Sequence, residues 1–222
     1  MKKGREWMVR RIRLAELAKI EVKVAFPIVV TAPSGTGKTS ICRAVAKELK
    51  NVDYSVSVTT RSPRKGEKNG KDYTFVSEKR FKQLAVDGEL VEWAVIYGNH
   101  YGTPKRKIEE SLGKGRCVIL ALDHRGGESI RKNYPGAVLV YLLPPSMAEL
   151  RRRLSGRNTD RRSSVERRLK SARQELLHAK KYDYFVVNKR LSDTAGTLKA
   201  IIAAESHRRK RYDHIEFQPT GG

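Results

Sequence analysis

Short runs of consecutive apolar residues alternate along this chain with segments whose apolar residues recur every three or four positions. The runs are FPIVVTA (26–32), RCVILALD (116–123), AVLVYLL (137–143) and YDYFVVN (182–188). Continuous apolar runs of this length are typical of strands buried on both faces of a parallel sheet. After the first run, Ile41, Val45 and Leu49 recur at four-residue spacing, which predicts a helix from Thr39 to Lys50. The alternation therefore predicts an α/β fold in which helices flank a parallel sheet.

The pattern changes between residues 58 and 103. The alternating, β-branched stretch YSVSVTT (54–60) predicts a strand, and short strand-like pieces then surround one helical piece, SEKRFKQLAV. We therefore predict an inserted mixed-β subdomain at about 58–103. Beyond it the strand–helix rhythm returns. There, Ser146–Glu149 and Ser163–Glu166 match the capping box and predict two helix starts.

The stretch APSGTGKTS (32–40) follows the first predicted strand and opens the first predicted helix. It matches the phosphate-loop pattern GxxxxGK[ST], except that Ala32 stands in the first glycine position. Glycines let consecutive backbone N–H groups turn toward phosphate oxygens, and the helix N-terminus adds partial positive charge. Lys38 is placed to reach the β- and γ-phosphates, and Thr39 to bind Mg²⁺. The predicted ATP-binding residues are Ala32, Pro33, Ser34, Gly35, Thr36, Gly37, Lys38, Thr39 and Ser40. The expected fold is thus of the P-loop NTPase type.

The composition adds a strong positive charge. Among 222 residues, 47 are Lys or Arg and 24 are Asp or Glu, which gives a formal net charge of +23. This balance favours polyanionic partners such as nucleotides, nucleic acid or acidic membrane surfaces, without choosing among them. The two cysteines, Cys42 and Cys117, form no CxxC pair, which favours a reducing cytoplasm over a disulfide scaffold. No apolar run approaches the ~20 residues of a membrane helix.

Both ends of the chain are basic. Residues 1–24 form a predicted extension in which Leu14, Leu17 and Ile20 recur at the spacing of a short amphipathic helix. Residues 206–222 form a basic and polar tail that we expect to be frayed.

The stretch TTRSPRKGEKNGKDYTF (59–75) predicts a second anion site. Arg61 and Arg64 follow a predicted strand soon after the first helix, and Pro63 and Gly66 favour a turn that brings them back over the phosphate loop. A phosphate that accepts a phosphoryl group is already ionised, so it needs arginines to screen phosphate–phosphate repulsion rather than a general base. The pattern therefore favours a kinase whose acceptor is itself phosphorylated.

From about Phe26 to Ala203, the sequence resembles the guanylate kinases. The resemblance rests on the spaced set TTRxPRxGExxGxDYxF, then EW, then YGT. The stretches PPSMAELRRRLSGR and VERRLKSARQEL are similar to the lid of that family and its flanks. The resemblance implies a guanylate kinase-like domain at 25–205, with a GMP-binding insertion at about 58–103 and a lid at about 150–168. It also implies transfer of the γ-phosphate of ATP to GMP, giving GDP and ADP in purine nucleotide metabolism, with Mg²⁺ as the cofactor.

The resemblance implies roles for individual residues. The residues that would hold the GMP phosphate are Arg61, Arg64, Tyr73 and Tyr101, and those that would read guanine are Ser57, Glu92 and Thr103. The catalytic residues would be Lys38, Arg153, Arg157 and Arg168, and the metal-binding residues Thr39 and Asp123. Guanine reading suits Glu92, because one carboxylate can accept from the guanine N1–H and N2–H₂ together and adenine offers no such pair of donors.

Three positions depart from residues that this family often carries. Ala121 stands where many members have a carboxylate, Arg125 where Gln is frequent and Lys189 where Asp is frequent. Two alternatives stay open: a related P-loop kinase for another phosphorylated small molecule, and a catalytically weakened guanylate kinase-like module that binds nucleotide or RNA. The intact guanine-reading set disfavours the first alternative, and the retained Lys38 disfavours the second.

The expected partners follow from these assignments. ATP and GMP would be the substrates, and nucleic acid would bind only as a charge-driven side property. We expect a monomer or homodimer in the cytoplasm, without a membrane span.

Overall fold

The computed structural model of the chain describes residues 18–22, 25–33, 35–96, 98–155 and 162–217. The strands are β1 (Ala18–Val22), β2 (Pro27–Thr31), β3 (Val52–Tyr54), β4 (Val58–Thr59), β5 (Thr74–Phe75), β6 (Leu90–Ile96), β7 (Asn99–Pro104), β8 (Cys117–Leu122), β9 (Val138–Leu143), β10 (Tyr184–Val187) and β11 (Tyr212–Phe217). The α-helices are α1 (Lys38–Glu48), α2 (Glu78–Val86), α3 (Lys105–Gly113), α4 (His124–Asn133), α5 (Met147–Ser155), α6 (Arg162–Leu177) and α7 (Leu191–Ser206). Short 3₁₀ turns lie at His178–Lys181 and Arg209–Arg211.

Five strands form a parallel sheet in the order β10-β9-β2-β8-β3. Apolar residues cover both of its faces. On one face Ile28 and Val30 of β2 pack with Ile41 of α1 and Leu198 of α7. On the other face Val29 of β2 belongs to a cluster with residues of α3 and α4. This arrangement confirms the predicted α/β fold with helices on both faces of a parallel sheet.

A second, four-stranded mixed sheet has the order β5-β4-β7-β6. Its strands β4 and β5 are parallel, whereas β7 is antiparallel to both β4 and β6. Phe81 and Leu84 of α2 pack against Val58 of this sheet and give it a small apolar cluster of its own. The stretch 54–60, predicted as one strand, is split between the two sheets, since β3 ends at Tyr54 and β4 begins at Val58. An alternating pattern cannot show that a strand changes sheets halfway.

Helices α5 and α6 form a helical unit above the cleft between the two sheets. Leu150 and Leu154 of α5 pack with Val165 and Leu169 of α6. The Ser146 hydroxyl accepts from the Glu149 N–H at 3.1 Å, as the capping box predicts. Ser163 instead lies within α6 rather than in front of it.

The two ends of the described chain pair with each other. Strand β1 is antiparallel to β11, with Ile20 opposite Ile215. The helical spacing that includes Ile20 was therefore misleading, because Ile20 lies in a strand; Leu14 and Leu17 fall outside the described residues. The tail is also not frayed over residues 212–217, since backbone pairing with β1 holds it. Within the described ranges, none of the helices is both long and apolar enough to cross a membrane.

Candidate active site

The phosphate loop connects β2 to α1 at the carboxyl edge of the parallel sheet. Gly35 and Gly37 have φ values of 91° and 93°, in the left-handed region that favours glycine. Gly37 is the N-cap of α1, so the free N–H groups of the first helical turn lie beside the loop. The local backbone is thus that of an anion-binding loop at a helix N-terminus. Ser34, one of the predicted ATP-binding residues, lies outside the described residues.

Two contacts from distant parts of the chain fix this loop. The buried Asn188 side chain donates from Nδ2 to the Thr36 carbonyl and accepts from the Thr194 hydroxyl at 2.9 Å. A Cβ atom at Gly35 would lie 2.7 Å from Leu154 Cδ2 on α5, so glycine lets the lid pack directly on the loop. No role was predicted for Asn188 or Leu154. Asn188 was visible only as the residue before the unusual Lys189.

A cleft of about 490 Å³ lies between the phosphate loop and the mixed sheet. The predicted residues that line it are Ala32, Pro33, Gly35, Gly37, Lys38, Thr39, Ser40, Ser57, Arg61, Arg64, Tyr73, Glu92, Tyr101, Asp123 and Arg168. Thr36 is buried beneath the loop, and Thr103 is buried behind Glu92. The structure therefore brings the two predicted anion sites to opposite walls of one cleft.

The loop between β4 and β5, residues 60–73, carries Arg61 and Arg64, and we call it the acceptor loop. It is held in place by Glu67, for which no role was predicted. Arg61 Nη2 donates to both carboxylate oxygens of Glu67 at 2.9 Å, and the Arg64 N–H donates to the same carboxylate at 2.7 Å. The Arg61 guanidinium also lies 5.3 Å from the centre of the Tyr73 ring. Glu67 is the glutamate of the motif TTRxPRxGExxGxDYxF, so that motif was the sequence feature from which its role could have been predicted.

A second ion pair joins the acceptor loop to the helix of the phosphate loop. Arg43 of α1 donates to Asp72 Oδ1 at 2.5 Å and to the Lys71 carbonyl at 2.7 Å. Its guanidinium lies 5.4 Å from the centre of the Tyr54 ring. Asp72 in turn accepts from the Lys68 N–H at 2.7 Å, which shapes the loop. Both partners of this pair line the cleft, and neither was predicted.

Glu92 lies on β6 with its carboxylate directed into the cleft. The pKa of this carboxyl is raised to about 7, mainly by burial and also by the negative charge of Asp123, against the lowering effects of the hydrogen bond from Thr103 Oγ1 at 2.5 Å and of the Lys38 charge. Gly126 makes room for the group, because a Cβ atom there would lie 3.0 Å from Glu92 Oε2. The site thus holds a desolvated carboxylate that can change its charge near neutral pH.

Lys38 and Asp123 occupy the floor between the two walls. Lys38 Nζ donates to the carbonyl of Leu122, the last residue of β8, at 2.6 Å. Asp123 caps α4, because its Oδ1 accepts from the Gly126 N–H at 2.8 Å. Asp123 also lines the cleft, so it caps the helix and faces the candidate site at the same time.

The lid arginines differ in position. Arg168 lines the cleft. Arg153 donates to Glu149 at 2.7 Å, and to the carbonyls of Asn188 and Lys189 at 3.2 and 3.3 Å, so it is held at the base of the lid and not among the residues that line the cleft. Arg157 lies outside the described residues.

A metal ion at this site would depend on the nucleotide for most of its ligands. Among the described residues, no group of three or more His, Cys, Asp and Glu side chains is placed to hold a metal. Thr39 and Asp123 line the cleft on the side of the phosphate loop. An oxygen set of this kind, completed by phosphates and water, fits Mg²⁺.

Comparisons with known proteins agree on one family. The family model described as "Guanylate kinase" matches residues 25–205. The chain is similar to the guanylate kinase of Clostridioides difficile (strain 630), with 40% identity over 194 residues, covering 87% of this chain and 95% of that protein. It is 44% identical over 184 residues to the guanylate kinase of Symbiobacterium thermophilum, covering 83% of this chain and 87% of that protein. The crystal structure of guanylate kinase from Anaplasma phagocytophilum matches with a TM-score of 0.74 at 34% identity, covering 87% of this chain and 92% of that one.

Proposed function

This chain belongs to the guanylate kinase family and transfers the γ-phosphate of ATP to GMP; from that premise we propose how its residues divide the work. The observation that carries the proposal is the single cleft, which has a phosphate loop on one wall and an arginine-bearing loop on the other. Two anions held on facing walls are in the arrangement that an in-line transfer needs.

On the donor side, residues 32–40 hold the ATP phosphates. The N–H groups at the start of α1 face the β- and γ-phosphates, and Lys38 reaches the oxygens between them. In the structure Lys38 Nζ donates to the Leu122 carbonyl, so we expect ATP to draw it away from that carbonyl. Thr39 and Asp123 would hold Mg²⁺, which when bound would neutralise charge on the β- and γ-phosphates.

On the acceptor side, Arg61 and Arg64 bind the GMP phosphate, with Tyr73 and Tyr101 as hydroxyl donors. Glu67 orients the Arg61 guanidinium, because it fixes two of its donor directions before GMP arrives. Guanine is read by Ser57, Thr103 and Glu92, and the ionised Glu92 carboxylate accepts from guanine N1–H and N2–H₂.

During transfer, the GMP phosphate oxygen attacks the γ-phosphorus in line. Lys38 and Arg168 stabilise the charge that spreads over the transferring group. Arg153 and Arg157 join them when the lid closes, and for Arg153 this requires exchange of its bond to Glu149. The closing lid also excludes water, which would otherwise compete with GMP as acceptor.

The remaining assignments are broader. We propose a cytoplasmic enzyme of purine nucleotide metabolism, a setting that suits the two buried cysteines Cys42 and Cys117, which form no disulfide. The protein would act as a monomer or homodimer. Its excess charge allows nucleic acid to bind as a side property.

The test is a panel of nucleoside monophosphates. GMP, dGMP, AMP, UMP and CMP are each offered with ATP and Mg²⁺, and ADP formation is followed by a coupled assay. We expect turnover with GMP, little with AMP, and loss of turnover in Lys38→Met. Turnover of AMP at a rate similar to GMP would refute the guanine-reading role of Glu92. A Lys38→Met variant as active as the natural protein would refute the phosphate-loop assignment.

A further inference from the structure

The parallel sheet has a second edge, opposite the cleft. The cleft lies at the carboxyl ends of β2 and β8. At the opposite edge, strands β3, β8, β2 and β9 begin side by side, as the pairs Val52–Cys117 and Ile28–Val138 show. Strands of five or six residues separate the two edges by about 17–20 Å. A ligand on the far edge would therefore leave the cleft open.

Three lysines lie where the chain enters this edge. Lys50 precedes β3, Lys114 precedes β8, and Lys132 lies at the end of α4, shortly before β9. All three side chains are exposed, and none makes an ion pair within the described part of the chain.

A fourth lysine reaches the same edge from the far end of the chain. Lys210 precedes Arg211, whose guanidinium lies 3.9 Å from the ring centre of Phe26, just before β2. Arg211 also donates to the Gly136 carbonyl at 2.8 Å, next to the start of β9. Lys210 is therefore exposed close to the start of β2, between Lys114 and Lys132 in the strand order. We call Lys50, Lys114, Lys132 and Lys210 the basic edge.

The acidic side chains near the basic edge are already used. The neighbouring ion pairs are Asp53–Arg116 at 2.7 Å, Asp183–Arg131 at 2.5 Å, Glu205–Arg208 at 2.9 Å and Glu205–Arg211 at 3.3 Å, together with Glu48–Lys199. Each of these carboxylates therefore faces an arginine or lysine outside the basic edge. Glu110 pairs with Arg106, and its charge also acts on Lys114. The four lysines remain as net positive charge that folding does not neutralise.

We propose that the basic edge binds the phosphodiester backbone of nucleic acid. Neighbouring strands lie about 4.8 Å apart, so the four strand starts beside these lysines span about 14 Å. A row of flexible ammonium groups on that scale can contact several successive phosphates and release their counterions. This activity is separate from phosphoryl transfer and uses none of the residues assigned to it.

The β1–β11 pair joins the chain beside the same edge. β1 ends at Val22, shortly before β2, and β11 follows Arg211 directly. In the sequence, the residues before β1 are rich in Lys and Arg.

A lipid surface fits this edge less well than nucleic acid. Membrane-surface binding by basic elements normally adds apolar side chains that enter the bilayer. The exposed large apolar residues in the described part of the chain are Val86, Trp93, Val95, Phe185, Val187 and Leu191. All of them lie in or next to α2, β6 and β10, and none adjoins the starts of β3, β8, β2 and β9.

The test compares two variants that lose the same charge. The edge variant changes Lys50, Lys114, Lys132 and Lys210 to Gln. The control variant changes four exposed lysines elsewhere that also make no ion pair within the described residues: Lys79, Lys82, Lys170 and Lys180. Binding of a labelled 20-nucleotide single-stranded RNA, of a 20-base-pair DNA duplex and of vesicles with 30% phosphatidylserine is measured from 50 to 200 mM salt. Turnover of GMP is measured alongside.

Four phosphate contacts on a single strand correspond to a slope of about −2.8 in log K against log salt, or about fiftyfold in affinity over this range. We expect the edge variant to lose most of that slope and the control variant to keep it, with GMP turnover unchanged in both. Equal losses of nucleic-acid affinity in the two variants would overturn the proposal, because binding would then depend on the total charge of the protein and not on the basic edge. Binding to vesicles but to neither nucleic acid would also overturn it. A failure of GMP turnover in the natural protein would bear on the kinase assignment alone.

Discussion

Replacing the cleft carboxylate by an amide should raise stability while it removes function. Glu92 is half-buried, and its carboxyl is largely desolvated in the folded protein, so its pKa lies at about 7 rather than at the ordinary 4.5. Glu92→Gln keeps the shape of the side chain and can still accept the hydrogen bond from Thr103. The variant therefore isolates the charge.

The size of the effect follows from the pKa. A rise of about 2.5 at 1.36 kcal/mol per pKa unit corresponds to about 3 kcal/mol. Because the folded protein holds the Glu92 proton more tightly than the unfolded chain, the contribution of this group to stability falls as the pH rises from 4.5 through 7. Above pH 7 the ionised carboxylate costs the folded state about 3 kcal/mol, and below pH 4.5 it costs nothing. Glu92→Gln should remove that pH-dependent cost.

The assay is urea unfolding of both proteins at pH 4.5 and pH 8. We expect Glu92→Gln to have a larger free energy of unfolding than the natural protein at pH 8, and this gain in stability should exceed that at pH 4.5 by up to about 3 kcal/mol. At the same time, kcat/KM for GMP should fall by at least tenfold, because the amide presents an N–H₂ donor to the guanine donors. A difference in stability that stays constant between the two pH values would refute the reasoning, since the carboxyl would then titrate alike in both states.

Three further predictions concern neighbouring contacts. Thr103→Val removes the hydrogen bond that lowers the pKa of the Glu92 carboxyl, so the pH midpoint of kcat/KM for GMP should be higher in the variant than in the natural protein. An identical midpoint in the two proteins would contradict this prediction, because the titrating group would then be GMP itself rather than Glu92. Arg43→Asp and Asp72→Arg should each raise KM for GMP severalfold with little change in KM for ATP, and the double swap should recover part of the loss, whereas additive losses would deny the coupling. Gly35→Ala should destabilise by about 2 kcal/mol or more because of its positive φ and contact with the lid, whereas Gly196→Ala, in open space within α7, should stabilise by about 0.5–1 kcal/mol; thermal unfolding distinguishes the two.

The parallel sheet was predictable because each of its longer strands is buried on both faces. The runs at 116–123 and 137–143 contain the whole of β8 and β9 and extend at most one residue beyond either end. Their apolar residues are consecutive, so the pattern could not be mistaken for a strand with one polar face. The stretch 54–60 was harder, because its alternating pattern is satisfied equally by one strand and by two short strands in different sheets. The pairing of β1 with β11 left no local signal, since it joins segments about 190 residues apart.

Within the site, the sequence predicted residues that line the cleft better than residues that hold those in place. Lys38 stands in the phosphate-loop pattern, and Arg61 and Glu92 stand in motifs that resemble those of guanylate kinases. Arg43 and Asn188 act instead on partners far along the chain, a loop of the mixed sheet and the phosphate loop, respectively. Nothing in the residues around them specifies those partners. Arg153 differs from both groups, since the family resemblance implied a catalytic role, and the structure holds its side chain on Glu149 and two carbonyls.

The contacts within the acceptor loop change the interpretation of Ala121. A carboxylate at this position could help to order the acceptor site, so its absence could alter GMP affinity or the placement of the arginines. In the structure, Glu67 holds Arg61 and the backbone of Arg64 from within the acceptor loop itself, so their placement does not depend on position 121. A carboxylate at 121 would line the same cleft as Glu92 and add to the repulsion that Asp123 already exerts on it. Alanine therefore leaves Arg61 and Arg64 in place and makes it easier for Glu92 to carry the negative charge that the proposed guanine recognition needs.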